Sequence, residues 1–230
     1  MFRTILQENE RVLRGLICSL LHLQTDDIQS VEIKNPILPG DSFDAKEFIL
    51  DIEIVLNNNT LINLEMQVIN EHNWPERSLS YLGRRFDQLG KGQDYTECRP
   101  AIHIGFLDFA PFPECSEFYA TYKLLNIKNR HLYSDKFTLG VVDLTHIELA
   151  TDEDRAYGID RWARLFKSTT WEEIKMIAEN NPILTEASEK LYTYNADEMT
   201  RQTLTAEIEF LRSKVAALDH AKPAEQRLEQ

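Results

Sequence analysis

The chain of 230 residues has a formal net charge of −13, with 43% hydrophobic and 10% aromatic residues. This composition is typical of one folded domain, or of one domain with an appendage, and argues against a chain that is disordered in bulk. The acidity argues against a large, permanently basic surface for nucleic acids, although it leaves room for a local basic cleft.

The cysteines and histidines give no sign of a zinc site. The chain has three cysteines, an odd number, and their spacing is not that of zinc ligands: Cys18, Cys98 and Cys115. The six histidines also lack zinc-ligand spacing, and we assign them no role. With no signal peptide ahead of them, the cysteines are expected to be reduced thiols of a cytoplasmic protein. The longest apolar run, residues 16–21, is far too short to cross a membrane, so we expect no membrane partner.

The first half of the chain predicts a helix, a hairpin and a second helix. Residues 12–21 repeat apolar side chains at helical spacing, and Pro39-Gly40 marks a turn before the hairpin. A second helical pattern follows the hairpin at residues 72–90. Its predicted apolar stripe consists of Leu79, Leu82, Phe86 and Leu89.

The second half of the chain predicts strands followed by helices. Residues 101–109 are almost continuously apolar and predict an interior strand, and two further strands are expected at residues 118–125 and 137–144. The pattern then becomes helical, with Pro182 ending one helix and another helix at residues 185–192.

The C-terminal region carries a short heptad pattern. Apolar residues recur at alternating steps of four and three, at Leu204, Ile208, Leu211, Val215 and Leu218. Such a seam either forms a homo-oligomer or packs on its own domain. We predict a core over residues 1–150, a helical extension packed on it at 151–200, and a C-terminal helix with a frayed tail at 201–230.

The hairpin is the most informative part of the sequence. Residues 48–56 and 61–68 each alternate apolar and polar side chains, so each strand has an apolar side and a polar side. The polar sides carry Asp51 and Glu53 on the first strand and Asn63, Glu65 and Gln67 on the second.

Two registers keep both apolar sides against one core. A three-residue loop pairs Asp51 with Gln67 and Glu53 with Glu65, whereas a five-residue loop pairs Asp51 with Glu65 and Glu53 with Asn63. In both registers Asp51 and Glu65 are direct or diagonal neighbours.

The polar face of the hairpin has two interpretations. Three carboxylates and an amide on one sheet face are suited to a divalent cation. A solvated sheet face is the more common outcome of such a pattern. Two basic clusters, Arg84, Arg85 and Lys91 and then Lys123, Lys128 and Arg130, are both interpreted as solvated surface.

The pattern of Asp51 followed by Glu65-Met66-Gln67 on the next strand resembles the PD-(D/E)XK nuclease superfamily. Within it, the chain is similar to the Rpn-type recombination-promoting nucleases, or putative transposases. The similar segments are, in order, FRTIL, KEFILDIEI, LINLEMQV, RSLSYLGRRF, GQDYTECRPAIHIGFLDF, RWARLF and PILTEASEKL. The resemblance implies an α/β restriction-endonuclease-like core, with a mixed sheet flanked by helices and a helical C-terminal region, that hydrolyses DNA with Mg²⁺ or Mn²⁺.

The resemblance also implies roles for the residues of the hairpin. Asp51 and Glu65 correspond to the metal ligands, the main-chain carbonyl of Met66 faces the ion, and Gln67 occupies the position usually held by lysine. A lysine would supply positive charge next to the attacking water, whereas glutamine orients that water by hydrogen bonds alone. Glutamine is common at this position in the Rpn-like group, so it is compatible with cleavage, but it does not indicate how fast the cleavage would be.

Supporting roles are implied for five further residues. Glu10 matches an acidic position near the site on the first helix, or it lies on a solvated helix face. Lys46 approaches a phosphate or is a surface lysine, and Glu53 lies beside the metal ligands. Arg77 and Tyr81 contact the DNA backbone, or Tyr81 belongs to the core.

Family members usually carry a short polar segment ahead of the Phe-Arg pair, which here directly follows Met1. A first helix shortened in this way would weaken the fold or the site.

Three functions are compatible with these patterns. The first is a metal-dependent DNA endonuclease with a role in recombination or mobile DNA. The second is a weak or inactive nuclease fold that acts as an interaction or oligomerisation module, which the acidity, Gln67 and the heptad seam favour. The third is a nuclease for RNA or single strands, for which the sequence offers no aromatic stacking platform.

Overall fold

The computed structural model describes residues 6–7, 9–34 and 50–193. The chain divides into two compact units, Phe2–Arg164 and Leu165–Gln230, the latter with Met1. The boundaries expected at residues 150 and 200 stay predictions. Lys46, the heptad seam and the predicted tail lie outside the described residues.

The first unit is built on one sheet and the helices around it. In chain order its elements are α1 (Glu10–Leu21), β1 (Val31–Ile33), β2 (Leu50–Leu56), β3 (Thr60–Gln67), α2 (Trp74–Phe86), β4 (Ala101–Leu107), β5 (Tyr119–Lys123), β6 (Phe137–Asp143), α3 (Asp152–Ala156) and most of α4 (Ile159–Lys167). Single 3₁₀ turns lie at Thr25–Asp27, Tyr95–Glu97 and Ile147–Leu149.

The sheet has six strands in the order β1-β2-β3-β4-β6-β5. The pairs β1–β2, β2–β3 and β5–β6 are antiparallel, while β3–β4 and β4–β6 are parallel. This mixed sheet flanked by helices confirms the predicted α/β class.

Helices α1 and α2 cover opposite faces of the sheet. The Tyr119 hydroxyl donates to the Leu20 carbonyl at 2.8 Å, which places α1 on the Tyr119 face. Phe86 of α2 meets Phe137 edge to face, with ring centroids 5.7 Å apart. Because Tyr119 pairs with Val142, five residues beyond Phe137 on β6, the two contacts lie on opposite faces.

Helix α1 forms where the sequence predicts it. The Asn9 side chain accepts hydrogen bonds from the main-chain nitrogens of Arg11 and Val12, at 3.0 and 3.2 Å, and thereby caps the first turn. The predicted apolar stripe is buried at Val12, Leu13, Leu16, Ile17 and Leu20.

The β2–β3 hairpin adopts the second of the two expected registers, with Asp51 opposite Glu65 and Glu53 opposite Asn63. Its loop is nevertheless three residues long rather than five, because pairing continues to Leu56 and Thr60.

The turn itself is held by Asn57. Asn57 and Asn58 have φ angles of 52° and 54°, in the left-handed region that asparagine tolerates. The Asn57 carboxamide accepts hydrogen bonds from the Gln29 and Ser30 nitrogens and donates to the Asp27 carbonyl. The turn is therefore anchored to the segment that leads into β1.

Two features differ from expectation. Strand β1 was not predicted, because its three residues are too few to show a period. In α2 the predicted stripe is confirmed at Leu82, which is fully buried, and wrong at Leu79, which is 53% exposed. The helix also buries Trp74 and Ser78, which were not predicted. The helix also ends at Phe86, short of the predicted limit at residue 90.

The second unit, beyond residue 164, contains the end of α4, then α5 (Trp171–Ala178) and α6 (Pro182–Thr193). Pro182 starts α6, in the first helical turn where a missing main-chain donor is tolerated. The Asn181 side chain caps this helix by accepting from the Ile183 and Leu184 nitrogens at 3.1 and 3.0 Å. Within the described ranges, all helices are too short or too polar to cross a bilayer.

Candidate active site

The polar side of β3 is buried under α2. Asn63 and Glu65 are 0% exposed, and Gln67 is almost as deeply buried. The solvated-face interpretation is therefore wrong for this strand.

Close approach of α2 explains the burial. Gly105 of β4 is paired with Glu65, and a Cβ atom at Gly105 would lie 2.1 Å from the indole ring of Trp74. The missing side chain provides the space that Trp74, at the start of α2, occupies. The helix can therefore lie directly over the carboxylate.

Arg77 is the main described partner of Glu65. Its Nε donates to Glu65 Oε1 at 2.7 Å, in a charge-assisted hydrogen bond. Burial opposes the charge of the guanidinium, but the hydrogen bond and the charge of Glu65 raise the pKa of Arg77 above its usual value. A guanidinium has five N–H donors, so this contact leaves others available.

His103 lies on the other oxygen of Glu65. Its ring is fully buried on β4, opposite Asn63, and the Asn63 amide nitrogen lies 3.0 Å from His103 Nδ1. His103 Nε2 is 3.6 Å from Glu65 Oε2, longer than a hydrogen bond. Burial, together with the charges of Arg77 and Arg85, lowers the pKa of His103 to about 3.

The contact between His103 and Glu65 is accordingly not an ion pair at neutral pH. An amide nitrogen only donates, so the orientation of Asn63 requires a lone pair on His103 Nδ1. The single ring proton is then on Nε2, which faces the carboxylate. If the Asn63 amide were turned over, its oxygen would require the ring proton on His103 Nδ1, and the unprotonated Nε2 would then face the negative charge of Glu65.

Aromatic rings frame this network. Tyr81 stacks on His103 with centroids 5.8 Å apart, and the Arg77 guanidinium lies 5.2 Å from the centroid of the Tyr81 ring. The Trp74 ring lies 5.5 Å from His103 on another side. Tyr81 is thus both a packing residue and a neighbour of the charged pair.

The remaining predicted residues are placed as follows. The register sets Asp51 directly opposite Glu65, while the Asp51 side chain lies outside the described part. Glu53 forms an ion pair with Arg85 of α2. Glu10 forms an ion pair with Arg14 at 2.8 Å on α1, which covers the opposite face of the sheet. The role expected for Glu10 stays a prediction.

Buried polar atoms without a described hydrogen-bond partner concentrate around Glu65. Among the described residues, four such atoms belong to this region, Asn63 Oδ1, Gln67 Oε1, Trp74 Nε1 and His103 Nε2, and three lie elsewhere, on His22, Ser30 and Asp160. Since buried polar groups are generally satisfied, such a concentration is typical of a place that takes a polar ligand or water.

The donor set fits a magnesium ion. In the described ranges no group of three or more His, Cys, Asp or Glu side chains is arranged to hold a metal. Mg²⁺, however, is usually held by one or two carboxylates and keeps several waters. Asp51 and Glu65 at paired positions, with the buried oxygen of Gln67 nearby, supply hard oxygen donors of that kind.

Sequence reasoning missed several residues of this site. His103, Arg85 and Trp74 had no predicted role there. The available signal was the pair His103 and Gly105 inside an apolar strand, where a polar ring and a missing side chain both indicate contact with another element.

Over residues 1–221 the chain matches the family described as PD-(D/E)XK nuclease family transposase. No curated protein and no solved structure is significantly similar to the chain.

Proposed function

Because the chain belongs to the PD-(D/E)XK nuclease family transposases, we propose that it is a metal-dependent endonuclease that hydrolyses phosphodiester bonds in DNA. The family match confirms the resemblance found in the sequence, and the mixed sheet is consistent with a restriction-endonuclease-like core. PD-(D/E)XK nucleases generally use divalent metal ions.

The observation that supports this proposal best is the environment of Glu65. The carboxylate of Glu65 is fully buried and lies directly opposite Asp51. The family pattern assigns a metal ligand to each of these two positions. Buried polar atoms of Asn63, Gln67 and His103 on the same side of the sheet have no hydrogen-bond partner among the described residues. Surface carboxylates of a simple sheet face have no comparable surroundings.

In this proposal Asp51, Glu65 and the Met66 carbonyl would hold Mg²⁺ or Mn²⁺. When bound, the ion polarises the phosphate, lowers the pKa of a water and stabilises charge on the leaving oxygen. Hard oxygen ligands at two paired strand positions suit this class of ion.

The other residues position the reacting groups. Arg77 holds Glu65 Oε1 through Nε and offers its remaining N–H donors to a phosphate oxygen. His103 and Asn63 set the direction of the second oxygen of Glu65. Gln67 orients the attacking water by hydrogen bonds but adds no positive charge.

One observation favours a second candidate. The ion pair between Arg77 and Glu65 is also what a purely structural buried pair would look like. A nuclease fold that has lost its activity and acts as an interaction module would keep such a pair without binding metal. The two candidates differ in whether cleavage depends on Glu65.

Cleavage of supercoiled plasmid by the purified protein tests the proposal. We expect nicking with Mg²⁺ or Mn²⁺, none with EDTA, and a loss of about 100-fold or more in Glu65→Gln. The matched control is Glu148→Gln, which removes an exposed carboxylate distant from β3 along the chain. Folded wild-type protein that cuts with neither metal, or Glu65→Gln that cuts as well as Glu148→Gln, would contradict the proposal.

A further inference from the structure

The chain from the last residue of β5 toward β6 forms a second hairpin, residues 123–133, here called the basic hairpin. Leu125 and Leu132 form an antiparallel bridge, and the main-chain nitrogens of Asn126 and Tyr133 donate across it to His131 and Leu124 at 2.8 and 2.9 Å. These hydrogen bonds give the segment a defined shape.

The tip of the basic hairpin is held by its own side chains. Asn126 Oδ1 accepts from the Lys128 nitrogen at 2.9 Å, and Asn129 Oδ1 accepts from the His131 nitrogen at 3.0 Å. Arg130 takes up the left-handed conformation, with φ 61°, and closes the loop onto the Asn126 carbonyl at 2.8 Å. The main chain of the tip therefore has a defined conformation.

Every residue from 121 to 133 is exposed, including large apolar ones. Ile127 at the tip is 86% exposed and Tyr133 is 83% exposed. Apolar groups grouped in this way commonly mark a contact surface.

The basic hairpin carries charge opposite to that of the whole protein. Lys123, Lys128 and Arg130 fall in a stretch, residues 118–134, that contains no Asp or Glu, although the net charge of the chain is −13. No ion pair involves these three cations within the described ranges, whereas Arg14, Arg77 and Arg85 all pair with carboxylates. Unneutralised cations on an acidic protein favour a polyanionic partner.

We propose that the basic hairpin binds the phosphate backbone of duplex DNA outside the cleavage site. Lys123, Lys128 and Arg130 contact phosphates, and Ile127 lies against the sugar–phosphate surface. This inference rests on the proposed function for its choice of DNA as the polyanion. It replaces the interpretation of this cluster as solvated surface.

The basic hairpin lies away from the candidate active site. Lys123 lies on the same face of β5 as Tyr119, because side chains alternate along a strand, and α1 covers that face. Glu65 lies on the opposite face, under α2. The hairpin therefore offers DNA a contact that is separate from the place where cleavage is proposed.

Binding of a fluorescent 30-base-pair duplex, followed by anisotropy in EDTA at several salt concentrations, tests the inference. The test variant of the full chain replaces Lys123, Lys128 and Arg130 by Gln. Each lost phosphate contact lowers the slope of log K against log salt by about 0.9, so three contacts lower it by about 2.7. We expect a loss of affinity of about 10-fold or more at 0.1 M salt.

Two controls make this result specific. Replacing the exposed Arg155, Arg161 and Arg164 by Gln removes the same charge elsewhere and is expected to change affinity less than threefold. A variant that exchanges Lys and Arg at the three hairpin positions keeps the charges and is expected to bind like wild type. Equal losses in both Gln variants, or no loss in either, would overturn the inference.

The inference and the proposed function fail in different ways. If wild type cuts plasmid and the hairpin variant binds and cuts equally well, the basic hairpin is not a DNA contact. If wild type binds DNA through the hairpin but cuts nothing, the hairpin inference stands and the proposed cleavage is wrong. A hairpin variant that dissociates a wild-type dimer in sedimentation, with unchanged DNA affinity, would identify a protein interface and overturn the inference.

Discussion

Removing Arg77 is the perturbation for which the structure predicts the largest effect. Glu65 is fully buried, so Arg77→Ala leaves a buried carboxylate without its guanidinium. Breaking a buried ion pair from one side destabilises a protein by about 3–5 kcal/mol. Arg77 keeps some exposure, so we expect the lower value, about 3 kcal/mol, which corresponds to a decrease in Tm of about 6–12 °C for a protein of this size.

The same substitution is expected to act oppositely on metal binding. If Glu65 is a metal ligand as proposed, Arg77 and a divalent cation would compete to neutralise it, so loss of the guanidinium is expected to tighten the binding of Mn²⁺ while DNA cleavage falls. A purely structural pair predicts the loss of stability without the gain in metal affinity.

Thermal unfolding without and with Mn²⁺ measures both effects. Arg84→Ala, an exposed arginine on the same helix, is the control and is expected to lie within about 1 °C of wild type. An Arg77→Ala protein as stable as Arg84→Ala would refute the reasoning about the buried pair.

Three further predictions concern the same face of the sheet. Gly105→Ala forces a Cβ into the Trp74 ring and is expected to destabilise the protein by about 1–3 kcal/mol. Gly83→Ala, with no atom within 4 Å of the new Cβ, is expected to stabilise α2 by about 0.5–1 kcal/mol. Chemical denaturation measures both free energies of unfolding, and equal effects would contradict the close packing of Trp74 on Gly105. The pKa of His103 is lowered to about 3, so the unfolded chain takes up this proton first, and the contribution to stability is complete above pH 6.5 and is lost as pH falls toward 3. Replacing His103 by Gln should therefore reduce the slope of unfolding free energy against pH between 6.5 and 5 by up to about 1.4 kcal/mol per pH unit; an unchanged slope would show that the ring is charged in the folded state. In the proposed mechanism, Gln67→Lys would place a positive charge beside the attacking water and is expected to raise the plasmid cleavage rate about 10-fold. An unchanged or lower rate would show that charge at this position is not limiting.

The register of the central hairpin was largely predictable, because strict alternation allows only two pairings. The choice between them was not. It depends on Asn57, whose side chain joins the turn to Asp27, Gln29 and Ser30, about thirty residues earlier in the chain. A long-range anchor of this kind leaves no periodic signal in the sequence.

The burial of the polar face of β3 also could not be predicted from the alternation in the sequence. Alternation separates two sides of a strand, but it does not show what covers each side. Here the cover depends on Trp74 occupying the space above Gly105, a contact between α2 and β4. The family resemblance indicated Glu65 and Gln67, while His103 became visible only once β3 and β4 were paired in register.

The helix α2 shows the same limit at one residue. Its apolar spacing predicted Leu79 in the core, yet the helix buries Ser78, directs Arg77 to the buried carboxylate of Glu65 and leaves Leu79 in solvent. Where a helix contacts a buried polar group, the spacing of its apolar residues does not by itself identify the side that is buried.

The most direct test of the central claim is the affinity of the protein for Mn²⁺, measured from the free-ion signal in electron paramagnetic resonance. The account predicts one site in wild type, weakened at least about 10-fold in Glu65→Gln and unchanged in Glu148→Gln. Equal Mn²⁺ affinity in all three proteins would show that the buried carboxylate of β3 is not a metal ligand, and would contradict the account.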